Sequence, residues 1–591
     1  MNYFKKFLYV FSGHKKQLIT LTLIFLLTSI LEGFGIGLIG PFLDLAGNPE
    51  LVSDNTQLSW IYNYLGLQNS SQLVTAMGLL VVLVFLVKAV FYFLGKRYSY
   101  KVLFDQRAAV QERLFDVYLS VSYDFHLAHN TADYINKISV ETYRFVYLVS
   151  LPIIESLSHL IIVTILLVLM AKTNIFLLVI SLASLFPVVL IFSFLMKHLK
   201  RWGQLSTIAR EETIKAVSHG LGGIKETRVF NCEEYFRLEL REHVYKEAQM
   251  ETLFQSVQFL PRTLIETFLV IALIGFVCFS QLLMGQDFQA VVSSVGVFAV
   301  ASLRLVPAAS QLVEIVGKLR NSIYTLDTMY LDLKEIESKD LDGLTQPNKG
   351  LLAKEPNFSK SLGLENVFYQ YPGSDTPSLK GVSMQVRKGE SIGLIGQSGA
   401  GKTTLVDVIL ALLTPQEGDI TVDGHSIYSN LPNWKKLIGY IPQSIFLMDD
   451  TIEKNIAFGV SSANIDQHRL WYAIKAAQLE SLIEDLPDGV NTSVGERGVR
   501  LSGGQRQRIG IARALYHQRE ILILDEATSA LDNETERLIS DSIKALAGSK
   551  TLIIIAHRLS TIEHCDRIYV LEKGTVVRSG TYADVVLAPQ T

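Results

Sequence analysis

Over roughly the first 317 positions, apolar residues come in runs too long to be one face of a soluble helix. Six segments, at about 18–43, 73–95, 146–171, 174–196, 263–284 and 290–317, each supply the roughly 20 apolar residues a helix needs to cross a ~30 Å hydrocarbon core. A soluble core rarely yields six such runs, so the pattern predicts six membrane spans. Beyond about residue 362 the rhythm changes. Short β-branched runs, SIGLI at 391–395, ILILD at 521–525 and TLIII at 551–555, alternate with helical segments, as in a soluble α/β domain. The polar stretch between them contains Pro347, Gly350 and Pro356 and reads as a linker. The expected layout is a membrane domain over 1–331, a linker over 332–361 and a soluble domain over 362–591.

Basic residues orient the spans. The loops 44–72 and 285–289 contain no Lys or Arg. The stretch between spans two and three carries Lys96, Arg97, Lys101, Arg107, Arg113 and Lys137, and a second basic stretch follows span four. Both basic stretches are therefore cytoplasmic. They run to about 50 and 65 residues, poor in Gly and Pro, which predicts that the spans continue as helices beyond the bilayer. Breaks near Tyr123–Asn130 and His219–Gly223 predict turns that present short transverse helices to a soluble partner, the first placed to include Tyr134 and Ile135.

Composition agrees and narrows the classes. The 591 residues are 49% hydrophobic, with a mean hydropathy of +0.29, and a net charge of −3 gives no electrostatic footprint for nucleic acid. Cys232, Cys278 and Cys565 are too scattered for a disulfide framework or a zinc site. The N-terminal MNYFKKFLYVFSGHKK lacks the cleavage site of a signal peptide and reads as a cytoplasmic lead-in to a retained first span. No internal repeat is evident.

The chemistry lies in the soluble half. SIGLI is followed by GQSGAGKTT, residues Gly396, Gln397, Ser398, Gly399, Ala400, Gly401, Lys402, Thr403 and Thr404, and then by the helical LVDVILALL. Strand, glycine-rich loop and helix form the setting of a phosphate-binding loop, in which backbone N–H groups and the helix dipole converge on phosphate. Lys402 is placed for the β- and γ-phosphates and Thr403 for Mg²⁺. ILILDEATSALD ends a buried strand on two carboxylates: Asp525 would hold Mg²⁺ through water and Glu526 would polarise the attacking water. TLIIIAH ends on His557, placed for the γ-phosphate.

With LSGGQ at 501–505 followed by RQRIGIARAL, the chain resembles the ATP-binding cassette (ABC) family, and the six-span half resembles an exporter-type half-transporter. The resemblance implies an α-helical six-span membrane domain followed by an α/β P-loop ATPase domain, with ATP and Mg²⁺ as cofactors. Tyr371 in VFYQYPG resembles the aromatic that stacks on adenine. Gln443 in YIPQSIF resembles the glutamine that links the nucleotide site and its Mg²⁺ to the membrane domain. Ser502, Gly503, Gly504 and Gln505 resemble the signature that grips ATP held by the other subunit, and Asp532 the aspartate of the loop crossing the dimer interface. VGERG at 494–498 resembles the segment that meets the transverse helices. With Glu526, His557 and the signature all intact, the expected assembly is a homodimer with two competent sites. One phosphate loop, one signature and six spans per chain point to a dimer independently, because ATP shared between two cassettes gives hydrolysis a mechanical consequence.

The cargo is written more faintly. Polar residues inside spans are costly and often functional, and here they are Glu32, Lys88, Glu155, His159, Glu266 and Arg304. EGFGIGLIGP in the first span, NTADYINKI at 130–138, PRTLIE at 261–266 and RLVPA at 304–308 resemble bacterial flippases of lipid-linked oligosaccharides. That resemblance implies Lys88, Arg262 and Arg304 as cations attracting a pyrophosphate, and a site in the cytoplasmic (inner) membrane. Pairing of Arg304 with Glu32 or Glu266 is the structural alternative. A broad lipid or drug exporter, and a nucleotide-dependent regulator without cargo, are the competing functions; the complete catalytic set disfavours the regulator. Peptide export with leader cleavage is disfavoured by the lack of a protease domain ahead of the first span, and uptake by the fusion of both domains in one chain.

Overall fold

The structure, a computed structural model, describes residues 3–11, 15–47, 70–173, 175–284, 288–340, 358–525, 533–556 and 558–587. It divides into two compact units, one of residues 1–121 with 129–345 and one of residues 122–128 with 346–591.

The first unit is helical. Among the described residues five helices are long and apolar enough to cross a membrane, at Lys16–Gly37, Ser71–Ser120, Asp133–Lys172, Glu233–Cys278 and Phe298–Arg320. The remaining expected span, 174–196, is helical from its second residue on, within Ile175–Gly222, and residue 174 lies outside the described residues. The helices Ser70–Ser120, Ile175–Gly222 and Glu233–Met284 contain 51, 48 and 52 residues. At about 1.5 Å per residue each is more than twice as long as the ~30 Å core is thick, so the basic stretches do continue their spans as helix. From 96 to 120 there is no Gly or Pro to interrupt the ladder.

Glycines in the first span let its neighbours approach. A Cβ on Gly33 would sit 2.3 Å from Ile165 Cγ2, and one on Gly95 of the second span 2.7 Å from Ile24 Cγ2. Ile36 meets Leu166, Met170, Phe298 and Leu305 in one buried cluster, which brings the first, third and sixth spans together. The helix leading into the third span contains two π-helical turns, Lys137–Glu141 and Val146–Ser150. The second lies just before Pro152, which has no N–H to give the carbonyl four residues earlier, so the local ladder is free to widen.

The first transverse helix differs from expectation. The separate short helix is Tyr123–Ala128, and it belongs to the second unit. Tyr134 and Ile135 lie on Thr131–Asn136 in the first unit, where the Tyr134 ring packs 4.6 Å from that of Tyr118. The expected turn at Tyr123–Asn130 itself contains the short helix, and the helix of Tyr134 starts after it, where Asp133 N–H donates to the Asn130 carbonyl at 3.0 Å. Near the second predicted break, Ile224–Val229 forms a short helix after Gly223. Residues 332–340 form the end of the helix Ile323–Asp340.

Among the described residues the second unit has ten strands: β1 (Ser361–Tyr369), β2 (Leu379–Arg387), β3 (Ser391–Ile395), β4 (Glu417–Val422), β5 (His425–Ser426), β6 (Ile438–Ile441), β7 (Ile521–Asp525), β8 (Thr551–Ile555), β9 (Arg567–Glu572) and β10 (Thr575–Gly580). One sheet runs β2-β1-β4-β5 and the other β10-β9-β3-β8-β7-β6. In the second sheet β9, β3, β8, β7 and β6 are parallel and β10 is antiparallel. β7 and β8 are wholly buried and β3 nearly so, which is why they read as unbroken apolar runs rather than alternating ones. Because β3, β8 and β7 are parallel neighbours, their C-terminal ends open at one edge of the sheet, where α/β folds hold ligands.

Candidate functional site

β3 delivers the chain into the glycine-rich loop at that edge. Gly396 adopts φ 157°, and a Cβ there would lie 2.2 Å from the Leu571 carbonyl oxygen; Gly401, at φ 101°, would place one 2.8 Å from the Ser378 oxygen. These two positions require glycine, and they turn the loop so that the helix Lys402–Ile409 points its N-terminus into the site. Ala400 is buried and its N–H donates to the Gln397 carbonyl at 3.1 Å. Lys402 is buried, and its Nζ donates to the Gly396 and Gln397 carbonyl oxygens at 2.8 and 3.2 Å. Thr403 faces outward, while the buried Thr404 pairs its hydroxyl with that of Tyr371 at 3.3 Å. Ser398, Gly399, Lys402 and Thr403 line a cavity of about 550 Å³.

Two further cations, Lys380 and Lys573, line the same cavity. Neither was found from the sequence. Lys573 sits in the β9–β10 turn, and only the pairing of β9 with β3 brings it near the loop.

Asp525 ends β7 as a buried carboxylate, and the Tyr440 hydroxyl donates to its Oδ2 at 3.2 Å. Burial, then the charge of Asp525, pushes the Tyr440 phenol up from its ordinary range. Asp407, on the phosphate-loop helix, is pushed up to about 6 by burial and by Asp525. Gln443 lies exposed beyond β6. Thr403, Asp525 and Gln443 offer only hard oxygen donors, a set that fits Mg²⁺. Glu526, Asp532 and His557 lie outside the described residues. The structure places Ser502 at the N-cap of the helix Gly503–Tyr516, in a capping box with Gln505: Ser502 N–H donates to Gln505 Oε1 at 2.8 Å, and Gln505 N–H to Ser502 Oγ at 3.2 Å. Ser502 and Gly503 are exposed and Gly504 is buried, leaving an open helix N-terminus of the kind that binds anions.

Replacing Lys402 by Ala should weaken ATP binding by about ten- to a hundred-fold, the worth of a charge-assisted phosphate contact. Equilibrium binding of ATP to the purified variant measures this, and unchanged affinity would remove Lys402 from the site.

In the membrane unit the polar residues converge. Glu32 and Lys88 are buried, and Lys88 Nζ donates to Glu32 Oε1 at 2.8 Å. Arg304 Nε reaches the same oxygen at 3.1 Å. Lys96 Nζ donates to Glu155 Oε1 at 2.6 Å. These groups and His159 line one cavity of about 420 Å³, in whose wall the His159 Nδ1 is buried with no hydrogen-bond partner among the described residues. Arg262 is not brought there: it pairs with Glu266 at 3.0 Å across one helical turn on an exposed face. Lys96 was absent from the sequence-based set because it sits just past the end of its span.

Residues 18–304 match the family model described as the ABC transporter transmembrane region, and residues 379–529 that described as ABC transporter. An ATP-dependent lipid A-core flippase of Cupriavidus pinatubonensis is 32% identical over 487 residues, 80% of this chain and 79% of its own. One from Ralstonia nicotianae is 32% identical over 505 residues, 83% of this chain and 80% of its own. A leukotoxin translocation ATP-binding protein of a Pasteurella haemolytica-like species is 40% identical over 247 residues, 42% of this chain and 34% of its own. Among solved structures, a bacterial Atm1-family ABC exporter with ATP bound superposes with a TM-score of 0.75 at 24% identity, covering 98% of this chain and 97% of that one.

Proposed function

The chain belongs to the ABC transporter family, an ATP-hydrolysing membrane transporter, and from that premise we propose that it flips or exports a glycolipid with a phosphate-bearing head group. A lipid-linked oligosaccharide is the leading cargo. The observation that carries the reading is the cavity whose lining, among the described residues, holds three cations, Lys88, Lys96 and Arg304, and two carboxylates, Glu32 and Glu155. A surplus cation in a low-dielectric wall favours an anion, and the Arg304 guanidinium, whose side chain is 52% exposed, can turn two N–H groups toward phosphate oxygens. An apolar drug would leave that charge unsatisfied. The relatives named as lipid A-core flippases keep lipid A-type glycolipids as the second candidate.

The working unit is a homodimer in the bacterial inner membrane, with the cassette in the cytoplasm. Each ATP lies between the phosphate loop of one chain and the Ser502–Gln505 signature of the other. Mg²⁺, held by Thr403, Asp525 and Gln443, would neutralise charge on the phosphates. Lys402 holds the β- and γ-phosphates, the open N-terminus of Gly503–Tyr516 faces the γ-phosphate, and Glu526 accepts the proton of the attacking water while His557 steadies the γ-phosphate. Loss of the bridging phosphate then lets the two cassettes part.

The test is ATPase activity of the purified protein in lipid, challenged separately with polyprenyl-pyrophosphate glycans, lipid A precursors and hydrophobic cations. The first class should stimulate most. Stimulation by hydrophobic cations alone would overturn the glycolipid reading.

A further inference from the structure

The short helix Tyr123–Ala128 is covalently part of the cytoplasmic stretch between spans two and three, yet it packs as part of the cassette unit. Tyr123 packs against the same apolar core of that unit as Tyr371 does. Its neighbour Asp124 accepts a 2.8 Å hydrogen bond from the hydroxyl of Tyr369. Tyr369 is the last residue of β1 and only 1% exposed, so its ring is fixed by packing. It meets Tyr371 edge-on, with ring centroids 5.0 Å apart and planes at 89°. Tyr371 in turn reaches the phosphate loop through the 3.3 Å contact of its hydroxyl with Thr404 Oγ1. A continuous chain of contacts therefore runs from Asp124 through Tyr369 and Tyr371 to the loop.

We propose that Asp124 and Tyr369 are a positioning pair for the nucleotide base: through them the segment Ser122–Ala128 sets the pose of the Tyr371 ring and so the affinity for ATP. The inference rests on the reading of Tyr371 as the aromatic that stacks on adenine. The physical reason is a difference in anchoring. The hydroxyl contact of Tyr371 to Thr404 is long and its ring is half-buried. The Tyr369 ring against which it leans is buried and is tied by a hydrogen bond to a carboxylate, roughly twice as strong as a neutral one. Cutting the Tyr369–Asp124 bond leaves the phosphate loop intact and loosens only the wall on which the base would stack. Binding linkage makes the effect mutual: a base that settles Tyr371 also favours the docked segment by the same free energy. The segment is continuous in sequence with the helices of the second and third spans, so nucleotide occupancy is registered in a stretch of chain that belongs to the transport pathway's own helices.

The experiment uses the full chain in lipid and compares Tyr369→Phe, Asp124→Ala, their double variant, Asp124→Asn and Tyr371→Ala. Steady-state ATPase gives KM and kcat, and inorganic tripolyphosphate serves as a competitor that occupies the phosphate loop but has no base. Tyr369→Phe and Asp124→Ala should each raise KM for ATP about five-fold, with kcat changed less than about two-fold. The double variant should match the singles rather than multiply them, because one interaction is removed in all three. Asp124→Asn keeps an acceptor oxygen and should stay near wild type. Inhibition by tripolyphosphate should be unchanged throughout. If Tyr371→Ala leaves KM unaltered, the stacking reading itself fails. If Tyr371→Ala raises KM while Tyr369→Phe and Asp124→Ala do not, the positioning pair is overturned. A parallel loss of tripolyphosphate inhibition would overturn it too, since that is the mark of a merely structural contact.

Discussion

Replacing Glu526 by Gln should leave ATP binding intact and lower steady-state hydrolysis by about two to three orders of magnitude, the usual worth of a general base. Glu526 follows Asp525, which ends β7 as a buried carboxylate bonded to Tyr440. Glu526 is proposed as the base on its place in the sequence, directly after Asp525. The amide of Gln keeps the shape and removes the basicity, and it leaves untouched Lys402, the residue proposed to hold phosphate. ATP should then stay bound, holding the proposed dimer closed. Single-turnover hydrolysis with radiolabelled ATP, alongside equilibrium binding, separates the two effects. Hydrolysis within about five-fold of wild type would take the base's role from Glu526.

A second large effect is expected at Arg304, and it differs in kind from that at Lys88. The two cations share Glu32 Oε1, but the Lys88 and Glu32 side chains are 10% and 7% exposed whereas that of Arg304 is 52% exposed. Lys88 is therefore the buried counter-ion of Glu32, and Arg304 the accessible one. Arg304→Ala should lower flipping of a polyprenyl-pyrophosphate glycan by at least about ten-fold, with basal ATPase within about two-fold and thermal stability near wild type, because Lys88 still neutralises Glu32. Lys88→Ala should instead cost stability, though less than the ~3–5 kcal/mol of a fully orphaned buried charge, since Arg304 remains nearby. Proteoliposome flipping and thermal unfolding in detergent read the two outcomes. A stable Arg304→Ala protein that flips at the wild-type rate would remove Arg304 from the cargo site, and equal destabilisation by both changes would make the cluster a structural brace.

The long apolar runs and the phosphate loop were legible because each is written in contiguous residues, and a helix ladder or a loop around a phosphate is a local structure. The helical extension of the spans was legible for the same reason. The partners of the buried charges were less so. Lys88 and Glu32 lie 56 positions apart, on the first two spans, which approach closely where Gly35 faces Phe85 and Gly95 faces Ile24. Nothing local to Arg262 distinguished it from Arg304. What separates them is that Arg262 finds Glu266 one turn away on its own helix, while Arg304 faces another helix. Tyr134 failed differently: the break in the pattern was real, but the segment that joins the cassette unit is the short helix before it in the chain, and its Asp124 accepts from a strand residue 245 positions away.

The unbroken helix Ser70–Ser120, with its 51 residues, also has a consequence in mechanics. A rod of that many residues is about 75 Å long, so a tilt of only one degree about one end carries the other through about 1.3 Å. Sub-ångström adjustments at one tip are thus geared into displacements as large as a bond length at the other, without any hydrogen bond in between being broken. The chain has a stiff lever on one side of its Tyr123 turn and, on the other, a helix whose ladder widens at Lys137–Glu141 and Val146–Ser150. Bending strain would therefore collect in the second arm, and a proline or glycine introduced between 96 and 120 should slacken the drive while leaving both ends folded.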